Sequence, residues 1–390
     1  MALEGVAQVS VRLSEGGAAG VARALSDGLR ARGIFAPFVY GYGPGGHDSP
    51  LEAEYGATRI TPLSIAGLNR IAYRTIGKDT GLKSPGRWAD FRGVLESVDV
   101  VHLHVLHTYF VSTEGLFELL ADVGKPVVWT LHDQWAMTGR CAQPAGCELW
   151  RQGCTRCPDL RAYPEAWVDN AATRWRERRQ LIGDLQERVP TSIVACANWL
   201  ADAARDAGFD NVTTVQNSVD AEFWDQLSGP GSPSARSVLF VCRDLRDRGK
   251  VDWDLLEFVS QIPGAHLTIV GDNSPVNLPT ARRLPATASR AELARLMQDH
   301  EALLFTSDVD YFPLTIAEAL SAGMHVVARD SSAAREFAAS DNVSIFSSRE
   351  ELRDALSIAR VSNPDTAMRA HLRPERMIDD YVRVYEELTS

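Results

Sequence analysis

Short unbroken apolar runs alternate along this chain with longer stretches in which apolar residues recur every third or fourth position. Runs at 6–11, 34–40, 99–105, 125–131, 191–197 and 212–216 read as buried strands, and a second series at 237–242, 266–270, 302–305 and 325–328 reads the same way. Helical stripes lie between them. Residues 18–32 carry Val21, Leu25 and Leu29 on one face and stop at Gly33, and residues 199–207 stop at Gly208. An amphipathic helix closes the chain at 374–388, with Ile378, Tyr381, Val382 and Tyr385 on one stripe. Strand, helix and strand in repeated succession predict an α/β fold of parallel sheets with helices on both faces. The glycine-, proline- and serine-rich residues 229–237 separate the two series, so the predicted domains are 1–217 and 218–373.

Composition adds boundaries. The 390 residues are 45% apolar and 23% charged, the balance of a soluble globular protein, and exceed what one core usually holds. No run approaches the roughly 20 apolar residues that cross a bilayer, and the N-terminus lacks the charged and apolar regions of a signal peptide, so the expected location is cytoplasmic. Net charge is −11, of which residues 1–217 carry −2 and the remainder −9, and no basic domain marks a nucleic-acid partner. A nicotinamide oxidoreductase is disfavoured because neither half carries GxGxxG followed about 20 residues later by an acid.

The candidate chemistry gathers at strand ends, the edge where parallel α/β sheets bind ligands. In DYFPLTIAEALSAGMHVV, residues 310–327, a helix follows a strand, with Pro313 before its first turn and Gly323 after its last. Free N–H groups at such a helix start favour an anion. Asp310 and Glu318 bracket the turn, and the Glu318 side chain leans back toward it, placed for sugar hydroxyls rather than phosphate. Arg243, Arg246, Arg248 and Lys250 follow the strand at 237–242; they suit a diphosphate leaving group, or a surface loop salt-bridged by Asp244 and Asp247.

In the first half, Gly16 and Gly17 occupy a strand-to-helix turn, either a binding loop or a plain tight turn. His102 and His104 alternate on a strand with His107 beyond, so a shared ligand is conceivable, although no carboxylate has metal-ligand spacing. His132 and Asp133 end the next strand, where a histidine can meet a sugar hydroxyl or be structural. For Cys141, Cys147, Cys154 and Cys157, a structural zinc, disulfides and reduced thiols all stay open. Arg70, Arg74, Lys78, Lys83 and Arg87 form either a solvated helix face or a surface for anionic lipid or a phosphorylated acceptor.

Together these residues resemble glycosyltransferase family 4, retaining enzymes of the GT-B fold, and in particular a subgroup of polysaccharide biosynthesis. The family signature, a Glu, seven residues, a second Glu and EAxxxGxPVV, is met by Asp310, Glu318 and EALSAGMHVV, with Asp for the first Glu and His325 for the Pro. Arg243 and Lys250 match VGRLxxxKG in a longer loop with Val251 after the lysine. The WTLHDQWAMTG around His132, the cysteine pattern and Asn217, Asp220 and Phe223 follow in family order.

The resemblance implies two Rossmann-like doubly wound domains facing a cleft, with 374–390 packing back on the first. It places a nucleotide-sugar on the second domain, the diphosphate on the N–H groups of Leu314 and Thr315 beside Arg243 and Lys250. Glu318 would hold the ribose and Asp310 would face the donor sugar. Gly16 and Gly17 would close over the donor, His132 would lie against the reacting sugar, and His104 and Asp133 would serve the acceptor side. Implied too are a carbohydrate, lipid-linked or small-molecule acceptor and no cofactor requirement, while the basic stretch from Arg70 to Arg87 leaves peripheral membrane contact open. Two alternatives remain: a GT-B protein that forms no glycosidic bond, such as a pseudo-glycosyltransferase or epimerase, and a non-catalytic nucleotide-sugar binder.

Overall fold

The computed structural model describes residues 3–78, 80–227, 233–359 and 365–390; part of the break expected at 229–237 lies outside them. Two compact units divide the chain, residues 1–216 with 378–390, and residues 217–377.

The first unit is built on β1 (Val6–Ser10), β2 (Phe38–Tyr40), β3 (Thr58–Arg59), β4 (Val100–Leu103), β5 (Val127–Leu131), β6 (Thr191–Ala195) and β7 (Val212–Thr214). They form one seven-stranded sheet in the order β3-β2-β1-β4-β5-β6-β7, and every pairing is parallel. Unbroken burial along β1 and β5 shows why these strands read as continuous apolar runs: both faces are covered. The order reverses between β1 and β4, so the loops that leave these two strands diverge there and open a crevice.

The run at 34–40 yields only Phe38–Tyr40 as a strand, since Pro37 has no N–H to give to a ladder. The loosely patterned residues 41–87 hold the helix Leu63–Ile76, which buries only Ala66, Asn69 and Tyr73. Its large apolar side chains, Leu63, Leu68, Ile71 and Ile76, are exposed. The terminal helix Pro374–Thr389 lays Tyr381 and Tyr385 fully buried against this unit. Glycine lets it come close, because a Cβ on Gly28 would sit 2.1 Å from Ile378 Cδ1.

The second unit holds β8 (Ser234–Asp244), β9 (His266–Asp272), β10 (Arg282–Leu284), β11 (His300–Phe305), β12 (His325–Arg329) and β13 (Val343–Phe346). Their order is β10-β9-β8-β11-β12-β13, again parallel throughout, and it reverses between β8 and β11. Val238, Phe240, Ala302, Leu304 and Val327 join one core with Leu256 and Val259 from the helix Trp253–Ser260. The loops after β8 and β11 are tied together, Asp308 N–H donating to Gly249 O at 2.9 Å and Thr306 Oγ1 to Lys250 O at 2.7 Å. Sequence-distant residues thus meet at one sheet edge.

Candidate active site

At the reversal point of the second sheet, the helix Leu314–Ser321 begins with Pro313 as its N-cap, no side-chain cap and no acid in its first turn. Its leading N–H groups, those of Leu314 and Thr315, therefore present partial positive charge to whatever lies above the strand ends. Lys250, from the loop after β8, donates from Nζ to Asp310 Oδ1 at 2.8 Å. Burial opposes the ammonium charge, but attraction and hydrogen bonding to Asp310, with Asp247 behind, carry Lys250 above the ordinary lysine range. Arg243 stands exposed near the end of β8 with no ion pair to another described residue. Arg246, by contrast, is bound by Asp244 at 2.7 Å, and Arg248 is exposed.

Glu318 is 6% exposed on the same helix, and its carboxylate is met by Arg290 at the start of the helix Arg290–Gln298. Burial raises the Glu318 carboxyl above its ordinary range, and the Arg290 charge works against that rise. Arg290 is itself positioned by Asp220 at 2.5 Å and lies over the Phe223 ring at 5.0 Å. Asp220 Oδ1 also caps its short helix by accepting from Phe223 N–H at 2.7 Å. The Asp and Phe of the 217–223 segment thus act on Glu318 through an arginine.

In the first unit, Gly16 is the N-cap of the helix Gly17–Ala31 with φ +89°, a backbone that glycine adopts readily, and the helix start carries neither a side-chain cap nor an acid. His104, just past β4, donates from Nε2 to Gln8 Oε1 at 2.8 Å. Its Nδ1 then carries the lone pair and accepts from His132 Nε2 at 2.9 Å. His132 Nδ1 is left as an acceptor with no hydrogen bond to another described residue.

Burial pushes His104 well below the usual histidine range and His132 down to about 4, so both are neutral near pH 7. His102 is bonded on both nitrogens, to Tyr385 OH and Thr130 Oγ1, each at 2.7 Å. Asp133 is engaged too: His107 Nε2 lies 2.8 Å from Oδ2, and Trp135 N–H donates to Oδ1 at 2.8 Å. Burial opposes its charge, yet His107 and that N–H keep its carboxyl below the ordinary range.

A model of Glycosyltransferase Family 4 matches residues 15–223, and one of Glycosyl transferases group 1 matches residues 235–359. The chain belongs to glycosyltransferase family 4. It is 30% identical over 418 aligned residues to an Escherichia coli (strain K12) protein, WcaC, named as a colanic acid biosynthesis glycosyl transferase; the match spans 98% of this chain and 100% of that one. The crystal structure of a glycosyltransferase from Rickettsia africae superposes with a TM-score of 0.62 at 12% identity, over 99% of this chain and 98% of that one. An alpha-glucosyltransferase in complex with UDP superposes with a TM-score of 0.55 at 10% identity over 100% of each chain. As a family 4 glycosyltransferase the chain is a transferase with the two-domain α/β GT-B fold.

Among the family 4 residues expected from the sequence, Arg243, Lys250, Asp310, Leu314, Thr315 and Glu318 share the carboxyl edge of the second sheet, and Gly16, Gly17, His104, His132 and Asp133 that of the first. Of the readings left open for Cys141, Cys147, Cys154 and Cys157, the structural zinc is not supported. Among the described residues the group of three metal-capable side chains within 4.8 Å is His47, Asp48 and Glu52, and all six cysteines are free thiols.

Two buried arginines organise the cysteine-rich loop instead. Arg140 donates to the carbonyls of Asp159, Leu160 and Ala162 at 3.0–3.1 Å, and Arg178 lies 3.6 Å over the Trp135 ring. Cys154 Sγ accepts from Gly139 N–H at 3.1 Å, a structural use of the thiol. Gln8 and Arg290 were missed from sequence. Gln8 had a signal, a polar residue inside a buried strand, whereas Arg290 had none.

Proposed function

We propose that the chain transfers a sugar from a nucleotide-sugar donor to an acceptor hydroxyl with retention of configuration, in assembly of a polysaccharide or glycoconjugate. The observation that carries this reading is the uncapped start of the helix Leu314–Ser321 beside Lys250, with buried Glu318 one turn on. Leu314 and Thr315 N–H groups bind the diphosphate, Lys250 and Arg243 offset its charge, and Glu318 accepts hydrogen bonds from the ribose. Asp310 holds Lys250 in place and faces the donor sugar.

In the reaction the bond from the anomeric carbon to the phosphate oxygen breaks, and its electron pair leaves with the nucleoside diphosphate. The acceptor oxygen bonds the same carbon, and its proton passes to the departing phosphate. Fixed positive charge at the place where negative charge develops supplies the main rate gain. The first unit takes the acceptor, where neutral His132 offers Nδ1 to a hydroxyl proton. Similarity to the WcaC protein supports polysaccharide assembly, and the UDP in the alpha-glucosyltransferase supports a nucleotide donor. A thermal-shift screen against UDP-, GDP-, ADP- and dTDP-sugars, followed by product analysis with the best donor, tests the reading. One donor class should stabilise the chain and yield a retained glycoside; stabilisation by none would refute it.

A further inference from the structure

A cavity of about 540 Å³ opens at the carboxyl edge of the first sheet, and Arg12, Arg70, Arg74 and Arg161 line it together with Glu165. Four guanidinium groups thus face one carboxylate. Arg74 pairs with Glu165, while Arg12 is spent on a neutral carbonyl, donating to Tyr42 O at 3.0 Å with its guanidinium 4.4 Å from the Tyr42 ring centre. Arg70 and Arg161 are exposed and make no side-chain hydrogen bond or ion pair with another described residue. The Arg74 Nε–H is buried without a partner among the described residues.

A Cβ on Gly43, whose φ is +137°, would come 2.3 Å from Arg12 Nη1, so a side chain there would shift the guanidinium. Thr108 and Tyr109, on the wall, hold φ values of +77° and +72°, a backbone cost that structures tend to keep at binding sites. So concentrated an uncompensated positive charge, in a planar donor geometry suited to bidentate contacts, fits a phosphate.

Next to these arginines the surface is apolar. Leu63, 58% exposed, lines the cavity itself, and Ile71, 61% exposed, follows Arg70 on the same helix, Leu63–Ile76. Trp167, 62% exposed, is fastened to the same helix by its N–H donating to Arg74 O at 2.8 Å. Large exposed apolar side chains grouped beside a cavity mark an interaction site rather than a solvated face.

We propose that the cavity binds the phosphate of an acceptor that also carries an apolar chain, the arginines gripping the phosphate and Leu63, Ile71 and Trp167 supporting the chain. This rests on the transferase reading and names its acceptor class, a phosphate-bearing amphiphile. The charge complementarity singles out such a molecule over a neutral oligosaccharide, for which four arginines are not needed.

Calorimetry on the full chain, with monomeric dodecyl phosphate, dodecyl maltoside and inorganic phosphate as probes, tests it. Dodecyl phosphate should bind one to one and at least about tenfold more tightly than either of the others. Arg70→Gln with Arg161→Gln should weaken it by about tenfold or more, and Trp167→Ala should weaken it without changing inorganic phosphate. Equal binding of dodecyl maltoside, or indifference to the arginine pair, would overturn the proposal. So would cosedimentation with phosphatidylglycerol vesicles that persists in the arginine double variant, since the face would then serve a bilayer. Nucleoside diphosphate binding in the double variant should match wild type. If wild type itself binds no nucleotide, the transferase reading fails instead.

Discussion

Arg290 meets the buried carboxylate of Glu318, and so an arginine with no signal in the sequence is the charge partner of the acid expected to hold ribose. Removing one member of a buried pair strands the other, which typically costs about 3–5 kcal/mol. Arg290→Met should therefore destabilise the chain more than Arg290→Met with Glu318→Met. The deficit should also depend on pH. A carboxyl raised above 4.5 by burial favours the folded state below that pH, and the advantage is lost as pH rises through the folded value. Denaturation of Arg290→Met at pH 5 and pH 8 should show the larger loss at pH 8.

Lys250 is bound to Asp310 while partly open to solvent, so the pair adds little to stability. Lys250→Ala should leave Tm nearly unchanged yet lower kcat by about a hundredfold or more, the usual result of deleting a charge that stabilises a leaving group. Steady-state kinetics beside a melting curve decide this; near-native turnover would remove Lys250 from the mechanism.

His102, His104 and His132 are all held neutral by burial, with His132 down to about 4. In the unfolded chain each takes up a proton near pH 6.5. Stability should thus be fully present above about pH 6.5 and fall as pH drops toward 4, by up to about 1.4 kcal/mol per pH unit for each histidine. Urea denaturation at pH 7, 6 and 5 measures the slope, and a flat profile would mean that the histidines titrate normally.

Gly28→Ala would ordinarily strengthen an exposed helix by about 1 kcal/mol. Here the added methyl meets Ile378, so the substitution should instead destabilise by about 1–3 kcal/mol. Adding Ile378→Ala should remove most of that clash, and a double-mutant cycle reads the coupling.

Much of this was legible because local physics and fold agree at particular residues. The helix after Pro313, its stop at Gly323 and the strands on either side follow from spacing alone, and the structure places helix Leu314–Ser321 there. Glu318 was legible as an inward-leaning acid, but its arginine was not: 28 residues separate Arg290 from Glu318, and only the sheet order brings them together. The helix Leu63–Ile76 was legible only as a basic face: its buried side is small and partly polar and its large apolar residues face outward, so periodicity does not show which side packs inward.

The cysteine loop teaches the same lesson. Four cysteines left a metal, disulfides and free thiols open, whereas Arg140, through its fan of carbonyl contacts, and Arg178 do the organising. Arg140→Ala should lower Tm more than Cys141→Ser or Cys157→Ser, and a zinc chelator should leave Tm unchanged.

The central claim is that the start of the helix Leu314–Ser321 receives the donor's diphosphate. A crystal of the chain soaked with the nucleoside diphosphate of its preferred donor tests that most directly. Phosphate oxygens should lie about 2.7–3.2 Å from the backbone nitrogens of Leu314 and Thr315. Diphosphate bound elsewhere, with those two N–H groups left to water, would contradict the account.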